Sequence, residues 1–205
     1  MSFWDSRYDR ADYVFGEAPN AFLAANSPRL TGYRTALAVA DGEGRNGVFL
    51  AEQGLDVLAV DASPVGLIKA DRLAHKRGVR ITAHCLDIAD YDWPEARFDV
   101  VVGIFIQFAE PALREQMFAG MVRTLTPGGL LLIQGYRPEQ LAHGTGGPSE
   151  PDKFYTEDLL REQFAGLEII SLESYDTELT EGSAHAGLSA VIDLVARKPG
   201  APAAS

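Results

Sequence analysis

The chain has one cysteine, Cys85, among 205 residues. It can form neither an internal disulfide nor a cysteine-rich zinc site, which fits a reducing cytosol, and it reads as a small buried hydrophobe beside a strand. Basic charge is also scarce: 18 Lys and Arg stand against 29 Asp and Glu, for a net charge of −11. That balance opposes a sequence-independent grip on nucleic acid phosphates and on anionic membrane surfaces, so no nucleic acid and no membrane partner is expected. No apolar run reaches the ~20 residues that span a bilayer. The opening Met1-Ser2-Phe3-Trp4-Asp5 has no basic stretch ahead of an apolar core. A cytoplasmic protein is expected. The four histidines and the acids show no metal-ligand spacing, so no metal site is expected. No internal repeat and no domain linker stands out, which reads as a single domain over 1–205.

What is present is an ordinary globular composition, 46% apolar and 23% charged, long enough for one α/β domain with a sizeable core. Residues 1–34 form an aromatic prelude with Phe3, Trp4, Tyr8, Tyr13, Phe15, Phe22 and Tyr33. These rings either pack against the outside of the domain or, for Trp4, Tyr13 and Phe15, close over a ligand. Pro19 suits the first turn of a short helix carrying Phe22 and Leu23. From Thr35 onward, strands and helices alternate. Val57 to Val60 is a strand ending at Asp61, and Ser63-Pro64 supplies an N-cap and an N1 residue for a helix that Gly78 stops. Arg80 to Ala83 is a third strand, and Phe98 to Ile104 a fourth, apolar throughout as a strand covered on both faces should be. Pro111 opens a helix whose Leu113, Met117, Met121 and Leu125 form a core stripe. Pro127-Gly128-Gly129 breaks it before a fifth strand, Leu130 to Ile133. Residues 138–153 read as a long loop. Thr156 caps a further helix, and Leu167 to Ser174 and Leu188 to Val195 are two last strands joined by a polar connection. Gly200 to Ser205 is expected to be disordered. The expectation is a doubly wound, Rossmann-like α/β sheet of about seven strands, mostly parallel, helices on both faces, with an antiparallel final strand.

The chain is organised around Ala36 to Gly47: an apolar strand, a glycine-rich turn, then the helical run from Val48. Gly42, Gly44 and Gly47 spell G-x-G-x-x-G, with Asp61 about 20 residues on, as a dinucleotide site asks. Charge points elsewhere. A pyrophosphate at a helix N-terminus wants positive potential, whereas Asp41 and Glu43 flank Gly42. An adenosyl ligand with cationic centres and no phosphate suits two carboxylates better, and S-adenosylmethionine is such a ligand.

These residues carry a resemblance. Gly42-Glu43-Gly44-Arg45-Asn46 resembles the nucleotide-site loop of class I S-adenosylmethionine-dependent methyltransferases of the tellurite-resistance and thiopurine methyltransferase-like branch. Phe98-Asp99-Val100-Val101 and Leu125-Thr126-Pro127-Gly128-Gly129 resemble that family's fourth strand and the turn before its fifth. Trp4-Asp5-Ser6-Arg7-Tyr8 and Gly144-Thr145-Gly146-Gly147-Pro148 are similar to stretches of its small bacterial members. The resemblance implies a cofactor site of Ala40, Asp41, Gly42, Glu43, Gly44, Arg45 and Asn46 in the turn. Asp61 and Ala62 would lie beside the ribose, Asp87 and Ile88 at the adenine, and Ile104 at the end of the fourth strand. Three positions depart from the family. Ala38 replaces an acid, which Asp41 or Glu43 can supply. Ala40 replaces a glycine, which is tolerable at an ordinary φ. Gln107 stands where related sequences often have histidine.

The implied function is methyl transfer from S-adenosylmethionine to a small molecule, with a soft nucleophile (a thiol, or a selenium or tellurium oxyanion) favoured because it needs no general base. Gln107, Tyr136 and His185 are the catalytic candidates, with Arg137 and His143 behind them; His75 and His84 read as structural. The alternatives are an NAD(P)-dependent oxidoreductase, favoured by glycine spacing alone, and a non-catalytic S-adenosylmethionine-binding protein.

Overall fold

The computed structural model describes residues 2–200. The disorder expected for the tail concerns, from residue 201 on, residues outside that range. Seven strands form one sheet: β1 (Thr35–Val39), β2 (Asp56–Asp61), β3 (Thr82–Cys85), β4 (Phe98–Ile104), β5 (Leu125–Tyr136), β6 (Glu168–Glu181) and β7 (His185–Arg197). Their order is β3-β2-β1-β4-β5-β7-β6. β1 to β5 pair in parallel; β7 runs antiparallel to both β5 and β6. The doubly wound expectation is met.

The helices are α1 (Phe3–Tyr8), α2 (Ala21–Ala25), α3 (Arg45–Glu52), α4 (Pro64–Arg77), α5 (Pro111–Thr124), α6 (Gln140–His143) and α7 (Glu157–Gln163). Several ends follow from local chemistry. Ser63 accepts from Gly66 N–H to cap α4, with Pro64 at N1, and Gly78 closes it at φ +73°. Thr156 caps α7 through Leu159 N–H. Apolar side chains pack both faces of the sheet: Val101, Leu131 and Ile133 meet Phe118 of α5 and Phe164 beyond α7, while Val57, Val100 and Leu132 meet Leu50 of α3. That two-sided cover is why β4 is apolar along its length.

Some expectations need correction. Pro19 precedes α2 rather than opening it, since Asn20 is the cap and accepts from Leu23 N–H. The third strand lies two residues later than expected, and Cys85 is exposed on it because β3 is the sheet edge. Pro127-Gly128-Gly129 does not end α5, which closes at Thr124; Leu125 already belongs to β5, and the three residues lie inside that strand as an irregularity between the Phe98–Leu125 and Val100–Leu130 pairs. The long loop contains α6 and a 3-10 turn at Pro151–Lys153. Gln140 secures it, donating to Thr145 Oγ1 and Gly146 O while accepting from Ala190 N–H. The last two strands form a long hairpin of 14 and 13 residues, so His185 begins a strand instead of lying in the connection.

The sheet order also fixes where a ligand goes. β1 is followed by a crossover toward β2 and β4 by one toward β5, so the connections leaving these neighbours diverge. A crevice opens outside their carboxyl ends.

Candidate functional site

A cavity of about 470 Å³ lies in that crevice. Its floor comes from the glycine turn and the ends of β2 and β4: Ala40, Asp41, Gly42, Asp61 and Ala62, then Ile104. Arg45 and Asn46 at the start of α3, and Asp87 and Ile88 after β3, line it too. Ten of the twelve expected cofactor residues therefore share one cavity wall, and Glu43 and Gly44 are absent from it.

Asp41 caps α3. Both its carboxylate oxygens lie 3.1 Å from Gly47 N, so the N–H that a bound phosphate would use is taken by the protein's own anion. A Cβ at Gly47 would overlap that carboxylate and would also touch Ala38 Cβ at 3.7 Å. Asp41 thus reaches back toward position 38, where the resembling family carries its acid. Burial pushes its pKa up to about 7, with the charge of Asp61 adding to the rise and the Gly47 N–H and Arg45 opposing it. A carboxyl held at a cost in this way is relieved by a cation. Such a hydrogen-bond acceptor fits an ammonium and does not fit a pyrophosphate.

Asp61 ends β2 with Oδ2 accepting from Gly42 N–H and Oδ1 from Ser63 N–H, each at 2.8 Å. Those two bonds fix a buried carboxylate beside the cavity, its pKa raised first by desolvation. Asp87 is exposed, caps a short 3-10 turn through Ala89 N–H, and stands next to buried Ile88.

Three residues of the turn differ from expectation in placement or conformation. Glu43 faces away from the cavity. It is 3% exposed, pairs with Lys69 and accepts from Val14 N–H at 2.7 Å. The Lys69 ammonium also donates to the carbonyls of Tyr8, Arg10 and Asp12. Glu43 therefore holds the N-terminal segment to the turn instead of facing a ligand. Gly44, at φ +88°, meets α4: a Cβ there would lie 2.5 Å from Ala70 Cβ. It serves close helix packing. Ala40 does not keep an ordinary φ but sits at +50°, in the left-handed region where the family's glycine would be at ease.

The roof is aromatic. Trp4 and Tyr8 stack at 5.7 Å, and Phe108 meets Trp4 edge-on at 6.4 Å. Phe15 and Phe105 flank the His185 ring at 4.6 and 4.3 Å. Trp4 and Phe15 therefore line the cavity as one of the two readings expected; Tyr13 instead donates to Lys69 O. Phe105 holds a φ of +54°, a strained setting for a bulky side chain, of the kind that gathers at functional sites.

All three catalytic candidates reach this cavity, in different states. Gln107 is committed. Its amide donates to Tyr136 O and Lys153 O, and its carbonyl accepts from Tyr136 N–H. It braces the ends of β4 and β5 and has no proton-accepting role left. Tyr136 Oη is buried without a hydrogen-bond partner, and burial raises its pKa well above the ordinary phenol value. His185 is pushed down to about 3, first by burial and then by the charges of Arg45 and Arg7, so the imidazole is neutral. Its Nδ1 has no hydrogen-bond partner and lies 4.0 Å from Glu181. Arg137 and His143 are elsewhere, both paired with Asp176.

Sequence reasoning missed Glu181. It holds Arg45 at 2.8 Å and accepts from Asn20 Nδ2 and Ala21 N–H, closing the β6–β7 hairpin over the turn. Its distance of 136 residues from Arg45, the difference of 181 and 45, leaves no local signal. Among the described residues no group of three or more His, Cys, Asp or Glu could hold a metal ion, and no helix is long and apolar enough to cross a membrane.

Residues 36–129 match the family described as a methyltransferase domain. That match runs from β1 to the turn inside β5, under half of the chain, and agrees with the methyltransferase resemblance over that stretch. The 2-heptyl-1-hydroxyquinolin-4(1H)-one methyltransferase of Mycobacteroides abscessus is 27% identical over 116 residues, 54% of this chain and 51% of that protein. The match thus spans about half the length of this curated relative. Among solved structures, one determined for the conversion of a disulfide bond into a thioacetal group during echinomycin biosynthesis superposes with a TM-score of 0.78 at 20% identity, over 98% of this chain and 92% of that one. The N-methyltransferase NodS of Bradyrhizobium japonicum, in complex with S-adenosyl-L-homocysteine, gives 0.74 at 16%, covering 96% of each chain. TehB of Haemophilus influenzae gives 0.71 at 18%, over 87% of this chain and 62% of that one. At these identities the likeness is one of fold.

Proposed function

We propose that the chain is an S-adenosylmethionine-dependent methyltransferase acting on a small organic acceptor with a soft nucleophile, a thiolate first among them. The observation that carries the reading is Asp41, a carboxylate at the α3 N-terminus where a dinucleotide would place phosphate. Asp41 would hold the methionyl ammonium, Asp61 the ribose hydroxyls, and Asp87 with Ile88 the adenine edge and face. Glu43 and Gly44 support the turn from behind.

S-adenosylmethionine supplies a methyl group already activated on a sulfonium. The acceptor's lone pair forms the new bond to carbon as the carbon–sulfur bond breaks, with that electron pair staying on sulfur. What the protein must provide is alignment in a dry pocket, which is worth up to ~7–11 kcal/mol relative to free reactants. Trp4, Phe15, Phe105 and Phe108 supply the dry wall. None of the three candidates is a base at neutral pH. Gln107 is fully bonded, the Tyr136 phenol stays protonated, and an imidazole held near 3 takes up no proton. An acceptor that needs no base fits such a site. Tyr136 Oη and His185 then orient it.

The ring-lined wall favours an organic acceptor over a small selenium or tellurium oxyanion, which would trade its hydration for aromatic surface. The Mycobacteroides abscessus relative, by its name, methylates a ring-bearing organic molecule, in the same direction. A non-catalytic binder is the second reading, favoured by the missing base. Calorimetry with S-adenosylmethionine, S-adenosylhomocysteine and NADH tests the cofactor, with binding of the first two and not the third expected. Transfer of labelled methyl groups to arene thiols, hydroxyquinolones, amines, selenite and tellurite tests the reaction. Turnover on the thiols is expected, and binding without any turnover would favour the second reading.

A further inference from the structure

Charges of both signs line the cavity. Asp41, Asp61 and Asp87 lie along the floor. Two arginines line the cavity as well, and they differ. Arg45 is neutralised by Glu181 at 2.8 Å and tied to Phe15 O at 3.1 Å. Arg7, exposed in the last turn of α1, lines the same cavity with its guanidinium carbon 5.9 Å from the Trp4 ring centroid and 5.7 Å from that of Phe15. It belongs to none of the ion pairs among the described residues. The acid nearest it along α1, Asp5, is turned to Ser63 Oγ and to the N–H of Ser2.

We propose that Arg7 is the residue that selects the acceptor by charge, gripping an anionic, planar molecule against Trp4 and Phe15. The proposal rests on the methyltransferase reading above. A guanidinium between two rings, with its donors unengaged, presents a flat cationic surface that matches an aromatic anion in shape as well as in charge. The floor acids repel such a molecule from the cofactor half, so charge alone sorts the two ligands into their places. Of the buried acids around the turn, Glu43 is held by Lys69 and Glu181 by Arg45. His185, neutral and flanked by Phe15 and Phe105, adds no charge of either sign.

The test uses the full chain saturated with S-adenosylhomocysteine and two matched probes, 4-nitrothiophenolate and neutral 4-nitroaniline, titrated by calorimetry. The anion is expected to bind at least about tenfold more tightly than the amine, and Arg7→Gln to remove most of that gap. Arg7→Lys keeps the charge without the planar fork and should restore part of it. S-adenosylhomocysteine should bind the wild type and both variants alike, which shows that α1 has kept its place. No difference between the probes, or a gap that survives Arg7→Gln, overturns the proposal. A wild-type chain that fails to bind S-adenosylhomocysteine overturns the underlying methyltransferase reading, and this proposal with it.

Discussion

At the scale of single residues, two positions of the glycine turn, Ala40 and Asp41, act together. Ala40 adopts a left-handed conformation where the resembling family commonly carries glycine, and an L-residue there costs about 1–2 kcal/mol. Glycine would relieve that strain but would lose more backbone entropy, about 0.4–1 kcal/mol. Ala40→Gly is therefore expected to stabilise the chain by about 0.5–1 kcal/mol, read from the midpoint of denaturant unfolding at unchanged m-value. Under the proposed function, Asp41 stands in for the acid missing at Ala38. Its folded pKa, about 7, lies above the unfolded value of 3.8, so burial favours the protonated form. Its contribution to stability is complete below the unfolded pKa and is lost as pH rises through about 7. Asp41→Asn should thus raise Tm at pH 8, by about 2–4 °C for each kcal/mol relieved. It should also weaken S-adenosylmethionine binding by tenfold or more. In the wild type, binding of that cation should release protons near pH 7, seen as a dependence of calorimetric heat on buffer ionisation enthalpy. Equal heats in all buffers would show that Asp41 does not meet the ammonium.

At the scale of elements, the Glu43–Lys69 pair decides how the N-terminal segment is held. Lys69 of α4 gathers three carbonyls of residues 8–12, and Glu43 takes Val14 N–H, so the strap passes around one buried ion pair. Removing one partner of a buried pair costs about 3–5 kcal/mol because the other charge is left behind. Glu43→Gln is expected to lose about that much in urea unfolding, since it strands Lys69, whereas a direct cofactor contact would lower affinity at unchanged stability. The sequence placed this acid correctly in the turn but could not say which way it points. Two neighbouring carboxylates on a tight turn necessarily face different directions, and only the position of α4 decides between them. For the same reason the helices with local punctuation were readable: Ser63-Pro64, Gly78, Pro111 and Thr156 each act within a few residues. α1 was not: its Ser2–Asp5 capping box is as local as the others, but six residues are too short to show a helical apolar period, and packing on α4 holds them.

At the scale of the whole molecule, the sheet was legible because alternating apolar runs leave few ways to pack, and the site's floor because strand ends and glycines mark it. The roof was not, being assembled from residues far apart in the chain. One buried polar chain ties it together. Asn20 donates to Gln134 Oε1 at 2.6 Å, Gln134 Nε2 to Asp193 at 2.6 Å, and Tyr175 Oη to the other Asp193 oxygen at 2.6 Å. The prelude, β5, β6 and β7 are thereby joined through one carboxylate. Burial raises the Asp193 pKa to about 6, above its unfolded 3.8, although both of its hydrogen bonds pull it down. The stability it contributes is therefore complete below the unfolded value and falls as pH rises through about 6. Asp193→Asn keeps an acceptor for Gln134 Nε2, which Asn20 holds in place, and removes the charge, while the Tyr175 hydroxyl can rotate to accept from the new amide nitrogen. The variant should match the wild type near pH 4 and exceed it by about 1 kcal/mol or more at pH 8, a gap that follows from the 1.36 kcal/mol carried by each pKa unit. Chemical denaturation at both pH values measures it. A variant less stable than the wild type at pH 8 would mean that the network needs the ion itself, and that charge rather than burial holds the hairpin over the site.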